Sequence, residues 1–230
     1  MLKLEDALIA QGDFQMRADF TLEAGRKYAV IGPSGAGKST LLAALCGFVP
    51  LAAGSMFWEG RDITEASPDA RPMTMLFQDN NLFPHLSVLQ NVGLGLRPDL
   101  RLSGPEREQV QRALGRVDLA QFADVKPGQL SGGQQSRVAL ARVLVQARPL
   151  VLLDEPFAAL GPALRNEMLD LVQDTVAQTG AALVMVTHAP EDVRRIADEV
   201  IFVEGGRAHA PRPAAALMDD PPPELRAYLG

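Results

Sequence analysis

A short apolar, β-prone run, Lys27–Ile31 (KYAVI), passes directly into GPSGAGKST at residues 32–40, and residues 39–47 then read as a helix. Few patterns restrict a fold so tightly. The G-x-x-x-x-G-K-[ST] spacing turns consecutive backbone N–H groups inward at the start of a helix, where they cradle phosphate oxygens. Gly32, Pro33, Ser34, Gly35, Ala36, Gly37, Lys38, Ser39 and Thr40 are therefore candidate nucleotide contacts. Lys38 would reach the β and γ phosphates of ATP, and Ser39 would hold Mg2+. Strand, loop and helix in this order call for an α/β core. Taken alone, they leave kinases, GTPases and many ATPases open.

Three further stretches narrow the choice: LSGGQ at 130–134, LVLLDE at 150–155 and VTH at 186–188. Asp154 and Glu155 follow four apolar residues, so a strand delivers two carboxylates to its C-terminal edge, where open α/β sheets bind ligands. Asp154 would hold Mg2+ through its water shell, and Glu155 would polarise the attacking water as a general base. An isolated strand-ending Asp-Glu pair is more often a solvated loop start; downstream of a complete phosphate loop the catalytic reading takes precedence. Ser131 is a natural N-cap for a helix over 134–146, with Gly132, Gly133 and Gln134 leaving N–H groups open to a phosphate. Seen alone, these residues fit an ordinary loop before a helix equally well. One nucleotide already cradled at 32–39 has little use for a second phosphate-binding helix end, so the simplest arrangement presents it to the nucleotide of a second copy. That gives two ATPs between two chains, head to tail. Gln78, in MLFQDNNLF, offers a neutral amide that can ligate Mg2+ or hold the water and swing away once the γ-phosphate has gone. His188 ends an apolar run, where a neutral imidazole can touch the γ-phosphate, although a lone histidine in such a place is usually structural. His85 and His209 lack such a setting and are assigned no chemistry.

Apolar runs at 150–153, 182–187 and 200–204 read as central strands covered on both faces. Helical patterns at 162–178 and 191–197 separate them, which predicts a mainly parallel sheet. Residues 2–23 alternate weakly and read as antiparallel strands flanking the core. Between about 78 and 147 the texture is helical, notably over 105–119. A chain of 230 residues then accommodates one domain, with a core lobe over about 1–77 and 148–230 and an inserted helical subdomain over about 78–147. The tail, with PRP and PPP, is expected to end in a short helix around 224–229. A net charge of −6 and no Lys/Arg cluster argue against a nucleic-acid surface. The single Cys46 cannot form an internal disulfide and reads as a packing residue in a reducing compartment. Neither a secretion signal nor an apolar run of about 18 residues is visible, so the chain is expected to be soluble and cytoplasmic, meeting a membrane only through a partner.

In this order the motifs resemble those of ABC transporter nucleotide-binding subunits, and the likeness runs from residue 2 to about 206. The resemblance implies that residues 32–40 are the Walker A loop, Gln78 the Q-loop, 130–134 the signature, Asp154 and Glu155 the Walker B pair, and His188 the switch histidine. It implies an α/β P-loop NTPase core, an antiparallel β subdomain at the N-terminus and an inserted helical subdomain. It further implies a homodimer closing on two ATPs with Mg2+ and driving separate integral membrane permease subunits. Such a chain sits peripherally on the cytoplasmic face of the inner membrane and answers indirectly to a periplasmic solute-binding protein. Within the family, MLFQDNNLFPHLSVLQNVGLGLRP at 75–98, MLKL at the start and the PALR and EML segments at 162–169 are similar to ATP-binding subunits of bacterial thiamine importers. Importers of sulfate, iron or polyamines commonly carry an added C-terminal regulatory domain, which is not expected in this chain.

The sequence departs from the family pattern in three places. Residues 158–161 read Ala158-Ala159-Leu160-Gly161 where S-A-L-D is usual, losing a hydroxyl and a carboxylate that help couple the two sites. Coupling is expected to weaken while hydrolysis survives, because Lys38, Glu155 and His188 are intact. Gln11 stands where an aromatic ring would stack on adenine; Phe14 or Phe20 would have to substitute, and both equally fit a core. Ser136 replaces a common Gln in the signature helix. Importers of other solutes and exporters share most of these motifs. A soluble ABC-type ATPase of chromosomes or ribosomes would bring a long coiled coil or a second cassette, neither of which is in this sequence. A small-molecule kinase would leave LSGGQ and His188 unexplained.

Overall fold

The computed structural model describes residues 1–158, 160–223 and 225–226. Strands β1 (Leu2–Gln11), β2 (Phe14–Leu22) and β3 (Lys27–Ile31) lead into helix α1 (Lys38–Cys46), followed by β4 (Leu51–Trp58), β5 (Arg61–Asp62) and β6 (Met73–Leu76). Helices α2 (Val88–Gly93), α3 (Gly104–Arg116) and α4 (Gly132–Leu144) come next. Then β7 (Leu150–Asp154), α5 (Pro162–Thr179), β8 (Ala182–Val186), α6 (Pro190–Ile196) and β9 (Glu199–Glu204) alternate. The described chain closes with β10 (Arg207–Ala208), β11 (Arg212–Pro213) and α7 (Ala214–Asp219). The short helix expected around 224–229 lies largely outside the described residues.

The parallel strands run β9-β3-β8-β7-β6. All residues of β7 and β8 are buried, as unbroken apolar runs between two helical layers require. Their register matters most for function: Val30 pairs with Val186, and Val186 with Asp154. Three neighbouring strands therefore end together, and the residues that follow them emerge along one edge. β5-β4-β1-β2 form an antiparallel half, joined to the parallel half through β10. β2 alternates between exposed and buried positions along its length, the period of a strand with one wet face.

Helix α1 lies in the largest apolar cluster, its Leu41, Leu42 and Leu45 packing with Val30, Leu152 and Val184 of the parallel strands and Leu4, Ile9 and Met56 of the antiparallel ones. Helix α4 is shared by two clusters. Ala139, Leu140 and Val143 face the sheet and α5, whereas Val138, Ala141 and Val145 join Val88, Val92, Val110 and Leu114 of α2 and α3.

Strand β4 escapes a pattern reading because LAAGSMFW has little alternation and a glycine in mid-strand. It forms by pairing with β1, where the register slips beside Asp6, a residue at φ 44. β6 is only four residues long, too short for a periodic signal, and forms as the edge partner of β7. Helix α3 stops at Arg116, short of the expected 119, because Asp118 turns left-handed at φ 55. Cys46 is buried as expected, and that burial pushes its thiol up to about 12.

Arg71 is 2% exposed and carries no signal in the sequence. Its guanidinium donates to the carbonyls of Ala44 (2.9 Å), Leu45 (2.7 Å), Thr64 (2.9 Å) and Ala66 (2.9 Å). Two of these belong to the last turn of α1, whose carbonyls have no intrahelical partners and carry partial negative charge. One cation thus anchors the far end of the helix that begins at the phosphate loop. Arg71→Ala should destabilise the fold by about 3 kcal/mol, since it strands several buried carbonyls at once. Arg71→Lys should recover only part of this, because an ammonium lacks the planar fork. Urea midpoints at an unchanged m-value check both.

Candidate nucleotide site

Chain geometry around residues 32–39 follows from two crowded glycines. A Cβ on Gly32, at φ 150, would stand 2.0 Å from the carbonyl oxygen of Val203 in β9. Gly37 caps α1 in a left-handed conformation at φ 96, and a Cβ there would lie 2.2 Å from the Phe14 ring. Only glycine fits either place. Behind the loop, Lys38 is 5% exposed. Its Nζ donates to the carbonyls of Gly32 (2.8 Å) and Pro33 (2.9 Å). Burial holds this ammonium below its ordinary pKa, opposed by the nearby Glu155 and Asp154 carboxylates.

The Ser39 hydroxyl donates to Asp154 Oδ1 across 3.0 Å. Burial pushes the Asp154 carboxyl above its usual range, against the pull of the Ser39 hydrogen bond. Glu155 takes a left-handed φ of 47, uncommon for a residue with a side chain. Its N–H donates to Val186 O at 3.2 Å, so the chain turns sharply off the sheet. The Glu155 carboxylate then meets His188, with Oε1 and Nε2 2.5 Å apart. Such local strain marks places where the surrounding structure enforces a geometry.

Ser34, Gly35, Gly37, Lys38, Ser39, Thr40, Gln78, Glu155 and His188, all singled out from the sequence, line one cleft with Phe14. Its volume of about 410 Å3 is of the size that takes small ligands. Gly32 and Pro33 are bonded to it through Lys38, and Asp154 stands behind it, bonded to Ser39. Ser131, Gly132, Gly133 and Gln134 are absent from its lining. They open α4 instead, two residues earlier than expected, through a capping box. The Ser131 hydroxyl accepts from Gln134 N (3.3 Å), and Gln134 Oε1 accepts from Ser131 N (2.9 Å). Ser131 and Gly132 are exposed.

Geometry also separates the two candidate rings: Phe20 is 6% exposed within the core, while Phe14 borders the cleft. Gly161 caps α5 without a side-chain hydrogen bond, in extended backbone with open space around it. Ser136 has a partner that its sequence position does not reveal. Its hydroxyl accepts from Asn80 Nδ2 and donates to Gly132 O, both at 3.2 Å. Arg142, farther along α4, donates to the carbonyls of Asn80 and Asn81, both at 2.8 Å. The segment after Gln78 is thereby tied to the helix that Ser131 opens. Asn91, fully buried, fixes the next turn by accepting from Phe83 N (2.8 Å) and donating to the carbonyls of Phe83, Leu86 and Ser87. The contacts of Ser136 and Arg142 with Asn80 and Asn81 join residues far apart in sequence, so no local pattern announces them.

The ABC transporter family model matches residues 16–158. This chain belongs to the ABC transporter family. It is 59% identical over 230 residues, the whole of both chains, to the thiamine import ATP-binding protein ThiQ of Cereibacter sphaeroides. It is 56% identical over the same span to the ThiQ of Ruegeria sp., and 46% identical over 230 residues to that of Brucella suis, covering 95% of the latter. Among solved structures, the ATP-binding cassette MJ0796, a dimer in a post-hydrolysis state bound to ADP and Pi, superposes with a TM-score of 0.81 at 29% identity. That match covers 93% of this chain and 99% of the other. The cassette MJ1267 shares the fold with a TM-score of 0.88 at 24% identity, over 100% and 99% of the two chains.

Among the described residues, no group of three His, Cys, Asp or Glu side chains could hold a metal ion by itself. No described helix is long and apolar enough to cross a membrane. One carboxylate beside one hydroxyl instead fits a hard cation that takes its remaining ligands from phosphate and water. Because the folded-state pKa of Asp154 is raised, the stability of the protonated form is lost as pH climbs from the ordinary carboxylate value through the folded one. Above the ordinary carboxylate range, the burial of Asp154 therefore costs the nucleotide-free protein stability. Asp154→Asn should raise the melting temperature of nucleotide-free protein at pH 7, on a scale of about 2–4 °C per kcal/mol for a chain of this size. It should also remove the further rise that Mg-ATP gives the wild type. Differential scanning calorimetry with and without Mg-ATP checks both.

Proposed function

We propose that this chain is the ATP-hydrolysing, energy-coupling subunit of an importer for thiamine and its phosphates. The observation that carries the reading is one cleft in which the phosphate loop, the Ser39–Asp154 pair and the Glu155–His188 pair meet. Full-length similarity to thiamine import ATP-binding proteins supports the choice of solute.

In this reading the backbone of residues 32–40 receives the phosphates, and Lys38 exchanges the Gly32 and Pro33 carbonyls for β and γ phosphate oxygens. Ser39, Asp154 and Gln78 would hold Mg2+, which neutralises developing charge on the phosphates when bound. His188 turns from Glu155 toward the γ-phosphate, leaving the Glu155 carboxylate free to orient the attacking water. Phe14, beside Gly37, supplies the face on which adenine stacks. Ser131, Gly132, Gly133 and Gln134 cap the nucleotide of a second copy, in keeping with their place outside their own cleft and with the exposure of Ser131 and Gly132.

The core lobe spans about 1–77 and 148–230, and the helical lobe about 78–147, with the joint near Gln78. Integral membrane permease subunits dock on the surface around 78–96, where Phe83 is 46% exposed and Phe48, nearby in the fold through its ring contact with Phe77, is 54% exposed. The chain works peripherally at the cytoplasmic face of the inner membrane and senses a periplasmic solute-binding protein only through those permeases. Nucleic acid is not a partner, and the net charge of −6 is in keeping with that.

Glu155→Gln should bind ATP, hydrolyse it very slowly and accumulate as a dimer at saturating Mg-ATP, whereas Lys38→Ala should lose nucleotide affinity. Light scattering that finds only monomeric Glu155→Gln protein under those conditions would overturn the shared-site reading. With cognate permeases and solute-binding protein in vesicles, thiamine should stimulate ATP turnover. A response to another vitamin and none to thiamine would overturn the solute assignment and leave the ATPase reading standing.

A further inference from the structure

His188 stands on a turn between β8 and α6. Both of its neighbours are tied to Asp192, Thr187 through the buried carboxylate and Ala189 through the backbone N–H. The Thr187 hydroxyl donates to Asp192 Oδ2 at 2.7 Å and accepts from Ala189 N at 3.2 Å. Ala189 O in turn accepts from Asp192 N at 3.1 Å. The side chain of Asp192 is 4% exposed, and Arg165 Nη2 meets the same Oδ2 at 2.5 Å. Arg165 lies in the first turn of α5, with its backbone N–H bonded to Gly161 O at 3.0 Å. It therefore reaches the turn from the segment that begins at Glu155.

Packing on the remaining side is incomplete. A cavity of about 270 Å3 borders Glu155, His188, Thr187, Asp192 and Arg165. Arg165 Nε is enclosed without a hydrogen bond. A turn that faces open space has fewer van der Waals contacts to hold it, so the Asp192 clamp adds to the backbone bond that ties Thr187 N–H to Val30 O at 3.3 Å. Burying a carboxylate is costly unless it is paired, and loss of its cation leaves the charge to draw in water and move.

We propose that Arg165, acting through Asp192 and Thr187, is a positioning residue that holds the His188 turn against Glu155 and locks it to the first turn of α5. The inference rests on the reading of His188 given above. It predicts an effect on the chemical step rather than on nucleotide binding, because Arg165 does not line the phosphate cleft. It also couples the turn to the neighbourhood of the α4 start: a Cβ on Gly133 would meet Leu164 Cδ2 at 2.7 Å and Leu160 Cδ2 at 3.6 Å, so the residues flanking Arg165 and Gly161 already touch that helix.

The test is steady-state ATP hydrolysis by the full chain, comparing Arg165→Met, Arg165→Lys, Thr187→Val, His188→Ala and the double variant Arg165→Met/His188→Ala. Arg165→Met should lower kcat by about 10- to 100-fold, the scale of an ångström-sized misplacement, with KM for ATP within about twofold of wild type. Arg165→Lys should restore part of kcat, and the double variant should be no slower than His188→Ala alone. Thr187→Val loosens the same clamp without removing the cation, so it should lower kcat in the same sense even if Arg165→Met fails to fold. The clamp is overturned if Thr187→Val and a folded Arg165→Met keep wild-type kcat while His188→Ala is inactive, or if the double variant loses the full product of the two single effects. Wild-type turnover in His188→Ala would instead overturn the reading of His188 itself.

Discussion

The structure depends on the alignment of three strand ends. Because Val30, Val186 and Asp154 stand side by side across β3, β8 and β7, the chain segments leaving those strands must share one edge of the sheet. Gly32 begins the phosphate loop there, Glu155 turns off in a left-handed conformation, and His188 follows one residue beyond Thr187. Side chains 117 to 156 positions away from Gly32–Lys38 in the sequence numbering are irrelevant to each other in an extended chain. A shift of one residue in β7 would send Asp154 to the opposite face of the sheet, since successive strand side chains alternate.

That alignment concentrates charge where water is scarce. Lys38 occupies itself with the carbonyls of its own loop, Asp154 leans on the Ser39 hydroxyl, and Glu155 pairs with His188. In the proposed function, each of these contacts would give way to a stronger one with a triphosphate or a divalent cation. The site is pre-organised yet held by substitutable partners, which lets ligand binding convert a costly arrangement into a favourable one. The framework bears the cost through α1, whose apolar side chains lie in the main core and whose far end is fixed by Arg71.

Much of the site was legible because its chemistry is local. The phosphate loop needs a strand before it, glycines within it and a helix after it, and all three are written in consecutive residues. The start of α4 was readable for the same reason: Ser131 forms a capping box with a residue three positions on. Strands β4 and β6 were not legible, since one is held by pairing with β1 and the other is a four-residue edge. Arg71, Asn91 and Arg142 left no trace because they bond mainly to backbone groups, which look alike at every position in a sequence.

The sequence by itself determined the candidate reacting groups, the α/β class of the core and the family, because local spacing dictates backbone conformation at a phosphate loop and at a capped helix. Tertiary structure decided which of those groups meet. It placed Phe14, not Phe20, at the cleft, kept Ser131 and Gly133 away from it, and joined Ser136 to Asn80 and Arg165 to Asp192. The physical reason is that these outcomes depend on strand register and on long-range packing, and neither is encoded within any single stretch of the chain.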